Sequence, residues 1–158
     1  MTYTVGFLFS PTMREVLLIE KNRPAWQAGK LNGIGGKRQE DEPAFVCQVR
    51  EFEEEAGVRV LHWREIGSIE GPECYDENMA LKYPMFHVTV FAACAHLAEW
   101  DAVKAMTDEP IHKVPVHDIL YGAGPFTTIP NLKWLIPMAG QSLLGVYNET
   151  KFRVIEHA

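Results

Sequence analysis

The sequence predicts an α/β fold on three observations: strand-like apolar runs open the chain, an amphipathic helical repeat begins at Pro43, and further strand and helix patterns follow to residue 155. Two runs, Tyr3 to Phe9 and Glu15 to Ile19, flank the turn-forming Ser10-Pro11-Thr12, which predicts an antiparallel hairpin. The stretch from Lys21 to Asp41 contains Leu31-Asn32-Gly33-Ile34-Gly35-Gly36-Lys37, too rich in glycine for a regular element, and reads as a functional loop. Beyond it Phe45, Val49, Phe52 and Ala56 fall on one helical stripe. Pro43 suits the first turn of that helix and Gly57 the left-handed position that ends it. Val58 to Ile69 and Met85 to Ala95 read as strands, the second central because its apolar run is nearly continuous. His96 to Pro110 reads as a loop and His112 to Ile119 as a short strand and turn. Asn131 to Leu144 then reads as a second helix and Lys151 to Ile155 as a last strand.

No repeat or composition break divides the chain, so residues 1–158 are expected to form one domain, burying roughly 70% of the surface its unfolded form exposes. Apolar residues at 47%, charged residues at 23%, 12 glycines and 10 prolines exclude a disordered or collagen-like protein. The net charge of −6 offers no basic field for nucleic acid or anionic lipid, so neither is expected as a partner. An anionic ligand then needs a local site or a bound cation. Cys47, Cys74 and Cys94 are odd in number and lack zinc-site spacing, which fits a reducing, cytoplasmic setting. The first residues carry no basic leader, and no apolar run approaches the ~20 residues of a bilayer span.

On a helix turning about 100° per residue, Glu51, Glu54 and Glu55 share one face, expected to lie opposite the apolar stripe, while Glu53 points elsewhere. Like charges at these spacings destabilise a helix by about 0.2–0.5 kcal/mol per pair, and the helix dipole disfavours anions near its C-terminus. Simple solvation of an exposed face is one reading of such a cluster. The other is a bound hard cation such as Mg²⁺, which takes oxygen ligands and removes both penalties.

The surrounding residues favour the second. Gly36, five residues, Glu42, seven residues, then Arg50-Glu51-Phe52-Glu53-Glu54-Glu55-Ala56-Gly57-Val58 resembles the Nudix box of the MutT-like hydrolases at every polar and glycine position. Phe52 departs from the family's usual Leu, Ile or Val, which alters packing beneath the helix. The order and length of the predicted elements also resemble that family's α/β/α sandwich, with a mixed sheet between helices. The resemblance implies a hydrolase acting on phosphoric anhydrides, dependent on Mg²⁺ with Mn²⁺ as a substitute. It implies Gly35 (by its carbonyl), Glu51, Glu54, Glu55 and a loop acid, Glu109, as metal ligands. Glu54, with Glu51 as competitor, is implied as the base, Arg50 as the residue that orients the carboxylates, Glu42 as a loop-stabilising acid and Lys37 as a phosphate anchor.

The loop ahead of the box resembles the Asn-Gly-x-Gly-Gly-Lys stretch of relatives that hydrolyse oxidised purine nucleoside triphosphates. That resemblance implies Asn32 as a reader of the base, with a turn role as its alternative. Asn131 stands where such relatives carry paired acids, and either contacts a base or caps the second helix. Lys21, Arg23 and Lys30 are candidates to line a triphosphate entrance, and Trp26 suits stacking on a base, whereas Trp63, Trp100 and Trp134 read as packing residues. Pro72 and Tyr75, downstream of the box, keep dinucleoside polyphosphates and ADP-ribose open as substrates. A nucleotide-binding module without turnover is a further alternative, and a homodimer remains open.

Overall fold

The computed structural model describes residues 1–75, 77–145 and 151–155. Its predicted hairpin pairs β1 (Thr2–Phe9) antiparallel with β2 (Glu15–Glu20), with Leu8 opposite Leu17 and Phe9 opposite Val16. The chain continues through β3 (Leu31–Asn32), helix α1 (Ala44–Ala56), β4 (Arg64–Gly71), β5 (Cys74–Tyr75), β6 (Leu81–Tyr83) and β7 (Phe86–Cys94). It ends with α2 (Leu97–Ala102), β8 (Ile111–Pro115), α3 (Val116–Tyr121), α4 (Leu132–Leu143) and β9 (Phe152–Ile155). Among the described residues the main sheet runs β3-β2-β1-β7-β4-β9, with β8 also paired to β2. Two pairs are parallel, β1 with β7 and β4 with β9, and the others are antiparallel, so the sheet is mixed as expected.

Alternation along β1 divides the core. Phe7 and Phe9 join Val90 and Ala92 of β7 under α4, whose Leu132, Leu135, Ile136 and Ala139 are buried. Leu8 faces the other way with Phe91 and Ala93, under Val49, Phe52 and Ala56 of α1. Because successive side chains of a strand point to opposite faces, strands covered on both sides must be apolar almost throughout. That is why β1 and β7 read as near-continuous runs.

Several expectations are corrected. Phe45 is outside the core at 40% exposure, and the buried face of α1 instead includes Cys47 and Gln48. The predicted strand from Val58 begins only at Arg64, since the segment before it bends to bury Val60 and Trp63 against α1. The loop from His96 contains α2, anchored by buried Trp100 and closed by reciprocal bonds between His96 and Glu99. The segment after Pro115 is helix α3, packed through Ile119, not a turn. Of the three tryptophans read as packing residues, Trp63 and Trp100 are buried, and Trp134 stacks edge-on to Phe152 with ring centroids 6.0 Å apart. Cys47 and Cys94 carry free thiols, while the side chains of Cys74 and Tyr75 lie outside the described part. Among the described residues no helix is long and apolar enough to cross a membrane.

The Phe52 ring meets Trp63 edge-on, with centroids 5.0 Å apart and no solvent exposure of its own. Truncation leaves a cavity that the paired sheet cannot collapse into. Phe52→Ala should therefore cost about 3–5 kcal/mol in urea unfolding, and a loss below about 1 kcal/mol would contradict this packing.

Candidate active site

The glycine-rich segment is not a free loop; it is zipped along β1. Thr4 N–H donates to the Gly36 carbonyl at 2.9 Å, Gly6 N–H to Ile34 at 2.7 Å and Arg38 N–H to Thr2 at 3.0 Å. A Cβ on Gly35 would stand 2.3 Å from the Thr4 carbonyl oxygen, so only glycine lets the segment lie this close to the strand. The same constraint acts from the helix side, where a Cβ on Gly36 would stand 2.1 Å from Glu51 Oε2. Buried Gln48 of α1 donates from Nε2 to the Ile34 carbonyl at 3.0 Å, tying helix to loop. This residue was missed in the sequence, although a lone amide in the helical repeat was the available sign.

Arg50 organises the acids. Its Nε and Nη2 form a fork on Glu42 at 2.8 and 3.0 Å, and its Nη1 reaches Glu51 Oε1 at 2.7 Å and Glu54 Oε2 at 3.2 Å. Glu42 Oε2 also accepts from Gln39 N–H at 3.0 Å, and the Glu42 carbonyl accepts from Arg38. The hydrogen bond from Arg50 is the main cause that lowers the Glu42 carboxyl to a pKa of about 2, against a smaller opposing effect of burial. Arg50 itself is raised, chiefly by Glu42.

Glu55 has the opposite character. Burial, the largest influence, pushes its carboxyl up to about 7, opposed by Lys21 and reinforced by the charges of Glu51 and Glu109. Its Oε2 is buried without a hydrogen-bond partner among the described residues. Met106 N–H donates to the Glu55 carbonyl at 3.0 Å and Lys104 N–H to Ala56 at 3.2 Å, which ties the 103–110 segment to the end of α1. That segment carries Glu109, 4% exposed, whose carboxylate accepts from Lys21 Nζ at 2.5 Å and from Asn22 N–H at 2.7 Å. Burial alone would raise the Glu109 carboxyl, but these two donors outweigh it and leave it lowered. Lys21 Nζ also lies 3.9 Å from Glu55 Oε1. An ammonium read from the sequence as an entrance residue thus sits among the carboxylates.

The acids do not lie opposite the apolar stripe as expected. Glu51 and Glu55 border it, with side chains 16% and 15% exposed, while Glu54 turns outward at 59%. Glu55 and Glu109 converge on Lys21 Nζ, and the partnerless Oε2 of Glu55 leaves there a buried oxygen donor that fits a hard divalent cation.

The remaining candidates divide. Lys37 is exposed next to the acids, its carbonyl 3.4 Å from Arg50 Nη2. Arg23 is exposed and meets Asp108 at 3.5 Å. Lys30 donates to the Trp26 carbonyl at 2.8 Å, so it braces its own loop, and Trp26 is 58% exposed. Asn32 holds the turn: Oδ1 accepts from Gly33 N–H at 2.7 Å and Nδ2 donates to Gln27 at 3.1 Å. Leu31 pairs by backbone with Thr127 and Ile129, bringing β3 beside the turn into α4. There Asn131 occupies the helix cap position but makes no side-chain cap bond, and its Oδ1 is buried without a partner among the described residues.

A family model described as the NUDIX domain matches residues 2–133. The chain belongs to that family. Its fold is similar to that of a mutator MutT protein from Bacillus halodurans, at 18% identity over 99% of this chain and 88% of that one, with a TM-score of 0.69. It is also similar to a MutT protein from Methanosarcina mazei Go1 (19% identity, 95% and 96% covered, TM-score 0.63). A third likeness is to the NUDIX domain of Shewanella oneidensis NrtR in complex with ADP ribose (16% identity, 88% and 85% covered, TM-score 0.66). No curated protein matches the chain. The NUDIX model spans the complete acidic box, and the fold around that box is the one shared with these MutT proteins.

The lowered Glu42 carboxyl has a consequence for stability. A folded-state pKa depressed from the ordinary 4.5 to about 2 adds stability that is complete above pH 4.5 and is lost as pH falls through about 2. Glu42→Gln should cost about 2 kcal/mol at pH 7, and its deficit should shrink as pH falls below 4.5, by denaturant unfolding across pH. A deficit independent of pH would rule out the ion pair as its origin.

Proposed function

We propose that residues 1–158, as one domain, hydrolyse the pyrophosphate linkage of a nucleoside triphosphate, ordinary or base-modified, to nucleoside monophosphate and pyrophosphate. The observation that carries this reading is the buried, partnerless oxygen of Glu55 within a nest of carboxylates beside the glycine segment. The Gly35 carbonyl, Glu51, Glu54, Glu55 and Glu109 would hold Mg²⁺, with Mn²⁺ as a substitute. When bound, the cation supplies charge stabilisation to the phosphate oxygens as a Lewis acid.

The chain's own groups divide the remaining work. Glu51 is held by Arg50 through Oε1 and fits against Gly36 through Oε2, which suits a fixed ligand better than a proton acceptor. Glu54 is the more exposed and less tightly held, and as base it would take a proton from the attacking water. The water oxygen bonds to a phosphorus as the bridging P–O bond breaks, and pyrophosphate leaves with the electron pair. Exposed Lys37 and Arg23 offer positive charge to the phosphates. Asn131, with a buried unpaired acceptor, is the stronger reader of the base, because both ends of the Asn32 amide are engaged in its own turn.

A second reading, cleavage of ADP-ribose or a dinucleoside polyphosphate, is favoured by the likeness to the NrtR NUDIX domain with its ADP ribose. Either substrate is a small nucleotide. The net charge of −6 supports no nucleic-acid partner.

A product-resolved hydrolysis screen with Mg²⁺ tests the proposal. Monophosphate and pyrophosphate should form from a triphosphate, and Glu54→Gln should lower turnover by about 10²-fold or more with folding retained. Cleavage confined to ADP-ribose or dinucleotides would select the second reading, and no cleavage anywhere would overturn both. In the same screen Asn131→Ala should reorder the preferred bases and Asn32→Ala should not; an unchanged ranking in Asn131→Ala would remove it from base recognition.

A further inference from the structure

Away from the carboxylate nest, the connector between α1 and β4 meets the end of β7 and the start of α2. His62, His96 and Glu99 converge there, each with a potential ligand atom within 4.8 Å of the others. The two imidazole rings lie with centroids 4.8 Å apart, tilted by 52°. His62 Nε2 is 2.9 Å from the Cys94 carbonyl, to which it donates, and 3.7 Å from Glu99 Oε2. Glu99 Oε2 accepts from the His96 backbone N–H at 2.8 Å, and the His96 side chain accepts in return from the third residue of α2.

We propose that His62, His96 and Glu99 form a second metal site, selective for a borderline divalent cation such as Zn²⁺ or Ni²⁺. The donor set carries the selectivity. Two imidazole nitrogens and one carboxylate suit such ions, whereas the all-oxygen nest around Glu55 suits Mg²⁺. The side chains converge without help from a cation because each is held on a backbone group. Each holding bond is single and lies near the surface, so it can be exchanged for a coordinate bond at small cost. Both histidines are exposed, which leaves water to complete the coordination.

The position gives the site a consequence. A cation there would join the connector before β4 to the first turn of α2. The chain after α2 runs into the segment that donates from Lys104 and Met106 to the end of α1 and carries Glu109. Occupancy would brace that segment from its far end, without any ligand taken from the carboxylate nest. The proposal does not depend on which nucleotide the enzyme cleaves.

Calorimetric titration with Zn²⁺ in saturating Mg²⁺ tests it on the intact protein, alongside His62→Gln and His96→Asn. Asparagine is a good helix cap, so the second variant removes an imidazole while it preserves the start of α2. The wild type should bind a single Zn²⁺ per chain, and each variant should bind about tenfold more weakly or worse. Zn²⁺ should raise the Tm of the wild type more than that of either variant at the same concentration, and Mg²⁺-dependent hydrolysis should be unchanged in both variants. Absence of Zn²⁺ binding by the wild type would overturn the proposal. So would equal affinity in all three proteins, which would put the ion on the carboxylates or the thiols instead.

Discussion

The guanidinium of Arg50 is the interaction on which the site depends. Three of its nitrogens hold Glu42 from the loop side and Glu51 and Glu54 from its own helix, within 2.7 to 3.2 Å. A planar fork can do this because its donors are fixed in direction, whereas an ammonium would offer a point charge without orientation. Without that cation Glu51 and Glu54 would face each other on α1 with their shared counter-charge removed. With it, Glu42 is engaged through both oxygens, whereas Glu51 and Glu54 are each held through one.

Close approach makes the pairing geometrically feasible. The 33–38 segment lies on β1 through backbone bonds and the close approach of Gly35, and α1 lies on the segment through Gln48 and Gly36. Helix, segment and strand thus form three layers with little space between them, and any side chain at Gly36 would collide with the carboxylate of Glu51. Burial follows, and it separates the acids by character. Glu42, paired with Arg50, is held ionised far below neutrality, while burial, with two acidic neighbours, pushes Glu55 up to about 7 against the opposing charge of Lys21. One helix and its flanking loop therefore carry a structural anion and a carboxyl suited to a cation.

The second cluster, at His62, His96 and Glu99, is built from the other end of the same layer. The connector that buries Val60 and Trp63 under α1 is what carries His62 to the start of α2. Packing of apolar residues and convergence of polar ones are here one event, because burial of Trp63 sets the path of its neighbour.

Local pattern determined much of this protein. The hairpin, α1 with its Gly57 end, the central β7 and α4 were legible because apolar period and terminating residues are properties of short segments. The acidic box was legible for the same reason, since its spacing lies within one helix and one loop. Contacts between distant segments were not. Lys21 lies 88 residues from Glu109 in sequence and hydrogen-bonds to it, and no pattern within either segment announces the pair. Short α2 and α3 escaped because six-residue helices owe their stability to tertiary burial of Trp100 and Ile119 more than to propensity. The orientation of Glu51 and Glu55 toward the buried border, the unpaired oxygen of Asn131 and the meeting of His62 with His96 were likewise decided by packing. A sequence specifies which groups a segment can present; only the folded sheet, with a helix on each face, decides which of them are desolvated together.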